Sequence, residues 1–311
     1  MDFLNISPIG FQDKVTLNIE GDSVRVMVTR GKQVTKWGSV PLSPDMIRDG
    51  LILDPIVVGS TASALLESQN ISTKKAVASL SGLHSSLRIL KLPSMARGML
   101  GEAVQRESEK VMPIDLEELH LSWQDLGVED DQHQIFVLGI PRNMMDTQIQ
   151  TLQETGLQPH LMDLKPLALM RAVNRKDALI IDVEANDFDI VLVDDGLPAI
   201  MRTIFLGQDS LSPQEAADRI VAELSRTVKF YQESHEDSTL SPSTPHFLVG
   251  TLGADSQLAE LIQTRVDYPI EPLTTPLTYP ADFPVNQYVV NIGLALKTPP
   301  RMALIKSGPY P

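Results

Sequence analysis

Two short polar turns, each lying between a pair of β-branched runs, carry the clearest potential for chemistry in this sequence. The first turn, residues 20–23, follows VTLNI, and the second, residues 184–187, follows ALIIDV. Turns of this kind direct backbone N–H groups at an anion, and an acid at a strand end, here Asp182, can orient a cation or water. The pair therefore predicts a clamp for phosphate groups. Because any α/β protein contains hairpins, the turns alone leave a purely structural role open.

Each turn belongs to a three-stranded meander, and the meander occurs twice. Residues 15–40 contain three β-branched runs joined by the first polar turn and by Gly31-Lys32. Residues 178–205 repeat this arrangement, with the second polar turn and then Asp194-Asp195-Gly196. Such runs with Gly or Asp-Gly turns are typical of hairpins. The repeat predicts two similar lobes, each with its own polar turn.

Helical patterns follow each meander, as an α/β lobe requires. In the strongest, Ser212 to Glu233, Ser212 is an N-cap, Pro213 occupies the first helical position and Glu215 completes a capping box. Its apolar residues recur on one face at helical spacing. Six further helices are predicted, at Asp54 to Ser68, Met95 to Val111, Asn143 to Thr155, Lys165 to Val173, Ala254 to Val266 and Tyr288 to Leu296.

The remaining segments suggest a division into domains. Residues 39–135 are predicted to form an inserted α+β subdomain, with strands at AVASLSG (Ala76 to Gly82) and SLRILKLP (Ser86 to Pro93). The first lobe then comprises residues 1–38 and 136–175, and the second comprises residues 176–297. The polar run 233–245 predicts a surface loop. Residues 298–311, which contain four prolines, predict a disordered tail that cannot form an amphipathic membrane helix.

Composition argues against several classes of function. The 311 residues include 26 Lys and Arg against 40 Asp and Glu, and the formal charge of -14 disfavours nucleic acids and anionic membranes. Without cysteine there are no disulfides, thiolate nucleophiles or Cys-ligated metals. The histidines show no metal-type pairing, and neither GxSxG nor GxxxxGK[ST] occurs. Because no signal-peptide pattern and no membrane-length apolar run is present, a soluble intracellular protein is expected.

An ordered set of short segments resembles the PilM family, the actin-like cytoplasmic proteins of type IV pilus assembly related to the division protein FtsA. The resemblance covers about Val15 to Lys297, and residues 18–25 correspond to the family's D-I-G-x-x-x-V-K. It implies an α/β actin-like bilobed fold, a duplicated ribonuclease H-like unit with a small inserted subdomain. The later segments, in the family's order, are Ile47 to Gly50, Leu92-Pro93, Val111 to Ile114, Trp123, Thr155 to Leu157, Met162-Asp163, Leu167 to Ala172, Arg202 to Gly207, Glu223 to Tyr231 and Ile292 to Lys297.

The same resemblance implies a nucleotide site between the lobes, and departures from the family pattern fall there. Asn18 replaces an Asp, and Glu20 and Glu184 replace glycines. Two carboxylates facing a triphosphate oppose its binding, and the loss of an acid at position 18 removes an anchor for magnesium or water. ATP with magnesium is therefore a doubtful cofactor. The residues that the resemblance assigns to this site are Asn18, Gly21, Asp22, Ser23, Arg25, Asp182, Gly207, Glu223, Gly250 and Gly253.

The function implied is that of a binding scaffold, with no catalytic residue and no metal ligand. Family members hold the cytoplasmic N-terminal peptide of PilN, a single-span membrane protein, in a groove between the first lobe and the inserted subdomain. A PilN-like protein and other pilus or related secretion proteins are thus the expected partners, at the cytoplasmic face of the inner membrane and without direct contact to lipid or nucleic acid. Residues Met95 to Val111 are the candidate groove region, although packing of this helix on the subdomain accounts for its apolar face as well. An active actin-fold ATPase, a small-molecule kinase and an FtsA-like filament former are the alternatives.

Overall fold

The computed structural model describes residues 13–20, 22–43, 45–206, 211–234, 240–266 and 268–298. The strands in this part of the chain are β1 (Asp13–Ile19), β2 (Ser23–Arg30), β3 (Gln33–Pro41), β4 (Ile47–Arg48), β5 (Leu51–Ile52), β6 (Lys75–Leu80), β7 (Ser86–Pro93), β8 (Leu119–Glu129), β9 (Gln132–Pro141), β10 (Gln158–Leu164), β11 (Ala178–Val183), β12 (Asp187–Asp194), β13 (Leu197–Phe205) and β14 (His246–Val249). The α-helices are α1 (Pro55–Ser68), α2 (Arg97–Val111), α3 (Arg142–Glu154), α4 (Lys165–Val173), α5 (Pro213–Ser234), α6 (Ser256–Gln263) and α7 (Val289–Leu296).

The two meanders form the cores of two sheets with the same plan. In the first sheet the strand order is β10-β6-β1-β2-β3, and in the second it is β13-β12-β11-β14. The meander strands are antiparallel, while β6 runs parallel to β1 and β14 runs parallel to β11. The duplication predicted from the sequence is thereby confirmed.

Equivalent backbone hydrogen bonds close the two polar turns. The N–H of Glu20 donates to the Ser23 carbonyl at 2.8 Å, and the N–H of Glu184 donates to the Asp187 carbonyl at 2.9 Å. Glu20 and Glu184 therefore occupy the same position in the two copies of the unit.

The two lobes share one apolar core. Alternate residues of each sheet, such as Met27 in the first and Ile180 in the second, pack on α4 and α7 between the sheets. The opposite faces pack on α1 and α3 in the first lobe and on α5 and α6 in the second. Helices α4 and α7 cross so closely that a Cβ at Gly293 would overlap the carbonyl of Ala168. This helix layer fixes the lobes relative to each other.

The inserted subdomain is smaller than predicted. Its sheet has the order β7-β9-β8, and α2 packs Leu100 and Val104 against it. Strand β6, which the predicted boundaries 39–135 assign to the insertion, lies instead between β1 and β10 of the first sheet. Five of its six residues are buried, as expected for a strand covered on both faces, whereas β7 alternates between buried and exposed positions. The subdomain also extends past residue 135, because β9 pairs up to Pro141.

The seven predicted helices are present, with ends shifted by a few residues. The capping box of α5 is formed: the Ser212 N–H donates to Glu215 Oε2 at 2.9 Å, and the Glu215 N–H donates to Ser212 Oγ at 3.3 Å. Of the predicted tail, residues 299–311 lie outside the described part of the chain, as do residues 235–239 of the predicted loop. Among the helices described, none is long and apolar enough to cross a membrane.

Candidate functional site

The two polar turns face each other across the cleft between the lobes, as the actin-like resemblance implies. Arg25, at the start of β2, reaches Glu184 of the other lobe and donates from Nη1 to Oε1 at 2.9 Å and from Nη2 to Oε2 at 2.7 Å. Both side chains are buried. Thr251 adds a hydroxyl hydrogen bond of 2.7 Å to Glu184 Oε2. A bidentate, fully buried ion pair therefore joins the lobes at the point where the turns converge.

A second buried cation, Lys165, neutralises the other turn. Its Nζ lies 3.0 Å from Glu20 Oε2, 3.0 Å from Asp182 Oδ2 and 2.8 Å from Asp189 Oδ2. Asn18 Nδ2 donates to Glu20 Oε1 at 2.7 Å and so fixes the carboxylate from its other side. We call these residues the cleft network: Asn18, Glu20, Arg25, Lys165, Asp182, Glu184, Asp189 and Thr251.

Four carboxylates share two cations in this network, so the pKa values of some carboxyl groups are raised while that of another is lowered. Burial raises the pKa of Asp182 to about 8, even though Lys165 acts in the opposite direction. Burial likewise raises the pKa of Glu20. At Glu184 the hydrogen bonds and charge of Arg25 outweigh burial and hold the pKa below its ordinary value. The Arg25–Glu184 pair is therefore ionised. Among the carboxylates that contact Lys165, Asp182 keeps its proton near neutral pH.

As arranged, the cleft network does not fit a magnesium triphosphate. The backbone N–H groups of Glu20 and Glu184 are used within their own turns, so they are not directed at a ligand. Oxygens of Glu20, Asp182 and Glu184 lie within 4.8 Å of one another, a spacing that a metal ion could use. Lys165 and Arg25 already contact these carboxylates, and their positive charges lie where a metal would have to bind.

Several residues assigned to the site by sequence do meet in the cleft. Asn18, Arg25 and Asp182 belong to the cleft network. Gly250 lies against the backbone of Val183 and the carboxylate of Asp182 with φ of +90°, where a Cβ would clash. Asp22 and Ser23 flank the network and hydrogen-bond to each other in the first turn. Gly253 also flanks it and packs on the backbone of Val249. Gly21 and Gly207 lie outside the described part of the chain.

Glu223 does not belong to this site. Its carboxylate binds Arg202 at 3.1 Å and also contacts Arg226. Arg202 pairs with Ile190, whose side chain is on the α5 face of the second sheet, whereas Thr203 pairs with Asp189 on the cleft face. Because neighbouring strand residues point to opposite faces, the sheet separates Glu223 from the cleft.

The most connected residue of the cleft network, Lys165, was not among the residues predicted from sequence. A signal for it exists, because Lys165 is the first residue of α4 and a positive charge is unfavourable at a helix N-terminus. Such a lysine requires nearby acids. Asp189 has a comparable signal, since it interrupts the apolar run of β12.

Two cavities formed by described residues bear on the site. The cleft cavity, of about 250 Å³, is enclosed by both lobes beside the cleft network. The subdomain groove, of about 690 Å³, lies between the β4–β5 hairpin, the start of α3 and residues 114–118. No residue of α2 lines this groove, and the apolar residues Leu100 and Val104 of α2 pack on the subdomain sheet. A peptide contact within Met95 to Val111 stays a prediction.

Duplicated sheets with facing turns and a shared helix layer define an actin-like bilobed protein. Solved structures agree on this fold. The chain is similar to one from a PilM-PilN type IV pilus biogenesis complex (TM-score 0.73, 21% identity, covering 91% of this chain and 97% of that chain). It is also similar to ethanolamine utilization protein EutJ from Carboxydothermus hydrogenoformans (0.56, 13%, 93% and 91%) and to the cytoplasmic domain of EpsL, an inner membrane component of the Vibrio cholerae type II secretion system (0.53, 13%, 92% and 97%).

A match between the sequence and a family profile identifies the family. The profile of the family described as type IV pilus assembly protein PilM matches residues 23–215, more than half of the chain. The chain therefore belongs to the PilM family. A comparison with curated proteins gave no match.

Proposed function

We propose that this chain is an adaptor of a type IV pilus inner-membrane complex. In this proposal it binds the cytoplasmic N-terminal peptide of a PilN-like single-span membrane protein. Family membership supports the setting, and similarity to a protein solved in a PilM-PilN complex supports the partner. The observation that carries the proposal is the subdomain groove, which is formed jointly by the first lobe and the insertion.

The groove has the chemistry that an extended peptide requires. Its wall is apolar at Leu51, Leu53, Ile114 and Met144, while charged residues, including Glu118, surround this surface. Pockets for alternate side chains between polar edges are the usual means of holding an extended segment. Leu53 is exposed, as are Ile56 and Val57 at the start of α1, so the apolar surface is larger than the groove itself.

The contact between α3 and the subdomain keeps the groove in shape. Arg142, at the start of α3, donates from Nε to the carbonyl of Glu117 at 2.5 Å. This hydrogen bond joins the lobe wall to the insertion wall. The groove is thus a preformed site, which reduces the entropy lost when a flexible peptide binds.

The nucleotide cleft has no catalytic role in this proposal. Arg25–Glu184 and the contacts of Lys165 hold the lobes together with protein groups alone. An adaptor closed in this way keeps the groove intact whether or not ATP is present. Attachment to the cytoplasmic face of the membrane is then supplied by the peptide partner.

Binding of a synthetic N-terminal peptide from a PilN-like protein, followed by fluorescence anisotropy, tests the proposal. Leu53→Asp places a charge on the groove wall at an exposed position and should weaken binding at least tenfold. Met99→Asp is the matched control, because Met99 is exposed on α2 and does not line the groove. Unchanged binding by Leu53→Asp, or equal losses for both variants, would contradict a peptide site in the groove.

A further inference from the structure

The cleft cavity contains a buried amide with an unused donor. Gln148, on α3, is 4% exposed and lines this cavity, and its Nε2 has no hydrogen-bond partner among the described residues. A buried donor without an acceptor is costly, so buried amides are almost always paired. The cavity therefore favours an occupant that offers an oxygen atom.

The charges around the cavity favour a positively charged occupant. Its wall contains four carboxylates, Glu20, Asp49, Asp187 and Asp189, against the cations of Arg48 and Lys165. Lys165 is already bound to Glu20 and Asp189, and no ion pair within 4.0 Å is formed by Asp187 in the part of the chain described. Burial raises the pKa of Asp187 to about 7, against the opposing effect of Lys165. A cation beside Asp187 would stabilise its ionised form.

The cavity is also partly apolar and is small. Leu83, Met144 and Phe205 are among its lining residues, so part of its wall suits an unbranched aliphatic chain. A volume of about 250 Å³ is just below the range of about 300–1,000 Å³ that is usual for small-molecule pockets. A small occupant such as one amino-acid residue suits this space.

The cavity lies next to the subdomain groove. Arg48, Asp49 and Met144 line both spaces. One end of a peptide held in the groove has to pass only these three residues to enter the cavity. Within a single residue, a chain N-terminus carries an ammonium group, a side chain and a carbonyl oxygen, which together match the carboxylates, the apolar wall and the Gln148 amide. A lysine side chain places its ammonium several bonds further from the nearest carbonyl.

We infer that the cleft cavity binds the free α-ammonium terminus of the peptide that occupies the subdomain groove. This inference depends on the proposed function. The ammonium group lies against Asp187 and Asp49, the first side chain packs on Met144 and Phe205, and the first carbonyl accepts from Gln148 Nε2. The cavity thus fixes the register of the peptide by recognising where its chain begins.

The test compares two forms of one PilN-like N-terminal peptide, labelled at its C-terminal end, with the α-amine either free or acetylated. Acetylation removes the charge and should weaken binding to the wild-type protein at least tenfold. Asp187→Asn should weaken binding of the free peptide by a similar factor and abolish the difference between the two forms. The matched control is Asp146→Asn, an exposed residue of the same helix as Gln148 that does not line the cavity, and it should leave both affinities unchanged.

A second variant and a small probe keep the outcomes distinct. Should Asp187→Asn fail to fold, Asp49→Asn removes the other carboxylate at an exposed position with φ of +51°, which Asn tolerates. Methioninamide carries the ammonium, unbranched side chain and carbonyl alone, and NMR titration should detect its binding to wild type and not to Asp187→Asn. If neither peptide binds but methioninamide does, the proposed function fails and the peptide terminus is overturned as the occupant, although the cavity still binds an α-ammonium group. If free and acetylated peptides bind equally and methioninamide does not bind, the cavity assignment is overturned and the groove remains.

Discussion

Glu20 and Glu184 occupy equivalent positions in two copies of one turn, yet each is neutralised by a different route. Glu184 binds Arg25 from the opposite lobe, and Glu20 binds Lys165 from the helix layer between the lobes. From the sequence, both carboxylates are expected to face a ligand. In the structure both carboxylates instead bind protein cations. The two glutamates that replace glycine therefore occupy the space between the turns where phosphate groups were expected.

Breaking the Arg25–Glu184 pair should be strongly destabilising. Arg25→Met leaves Glu184 buried and without its main counterion, a situation that typically costs about 3–5 kcal/mol. Urea denaturation measures the loss. The matched control is Arg30→Met, which removes the partly exposed pair with Asp13 and should cost less than about 1 kcal/mol.

The double variant Arg25→Met/Glu184→Gln completes this test. Because it removes both charges, it should be more stable than Arg25→Met alone. If Arg25→Met and Arg30→Met lower the free energy of unfolding by the same small amount, the buried ion pair is no stronger than the surface pair.

Asp182 should make stability depend on pH in a specific window. In the unfolded chain this carboxyl has a pKa near 3.8, whereas burial raises it to about 8 in the folded protein. Its contribution to stability is therefore fully present below about pH 4 and is lost as the pH rises through 8. Asp182→Asn lacks this titration, so its free energy of unfolding should rise relative to wild type between pH 5 and pH 8. Parallel profiles for the two proteins would show that Asp182 does not bind the extra proton.

At the level of secondary structure, the α4–α7 crossing is the most sensitive contact. Gly293→Ala puts a methyl group onto the Ala168 carbonyl of the facing helix, where backbone must move. We expect a loss of about 1–3 kcal/mol or more, measured by thermal and urea denaturation.

The matched control for this change is Gly101→Ala in α2. There the added methyl group meets Trp123 only at 4.0 Å, and removing a helical glycine should stabilise by roughly 0.5–1 kcal/mol. Equal changes in stability for Gly101→Ala and Gly293→Ala would mean that α4 and α7 can move apart without a loss of stability.

The elements that sequence predicts well are those whose signals are local. Helix α5 has its capping box and apolar stripe within one segment, and the duplicated meanders repeat within short windows. Strand β6 is different, because its place beside β1 depends on residues that are distant in the chain. Lys165 and Asp189 likewise acquire their role only when α4 meets the second sheet, and Glu223 is excluded only once the face of that sheet is known.

For the whole molecule, the cleft network implies that closure of the lobes requires no nucleotide. Mg·ATP should accordingly leave the wild-type melting temperature unchanged. Glu20→Gly/Glu184→Gly removes the main counterion of Arg25 and one of the three carboxylates around Lys165, so this variant should be less stable alone and should bind Mg·ATP at least tenfold more tightly than wild type, a difference of about 1.4 kcal/mol.

The corresponding Gln variants separate charge from shape. Glu20→Gln/Glu184→Gln keeps the side-chain volume and should bind Mg·ATP less tightly than the Gly variant. Micromolar binding of Mg·ATP by the wild-type protein, measured by calorimetry, would contradict a cleft closed by its own side chains and favour an active actin-fold ATPase.

The bidentate contact between Arg25 and Glu184 also carries an evolutionary consequence. The family pattern has lysine where this chain has Arg25, and glycine where it has Glu184. A guanidinium matches a carboxylate with two parallel hydrogen bonds, and an ammonium does not. Selection acting on the cleft should therefore have changed the two positions together: lineages that acquired the acid in the second turn should carry arginine in the first, and lineages that kept glycine there should keep lysine.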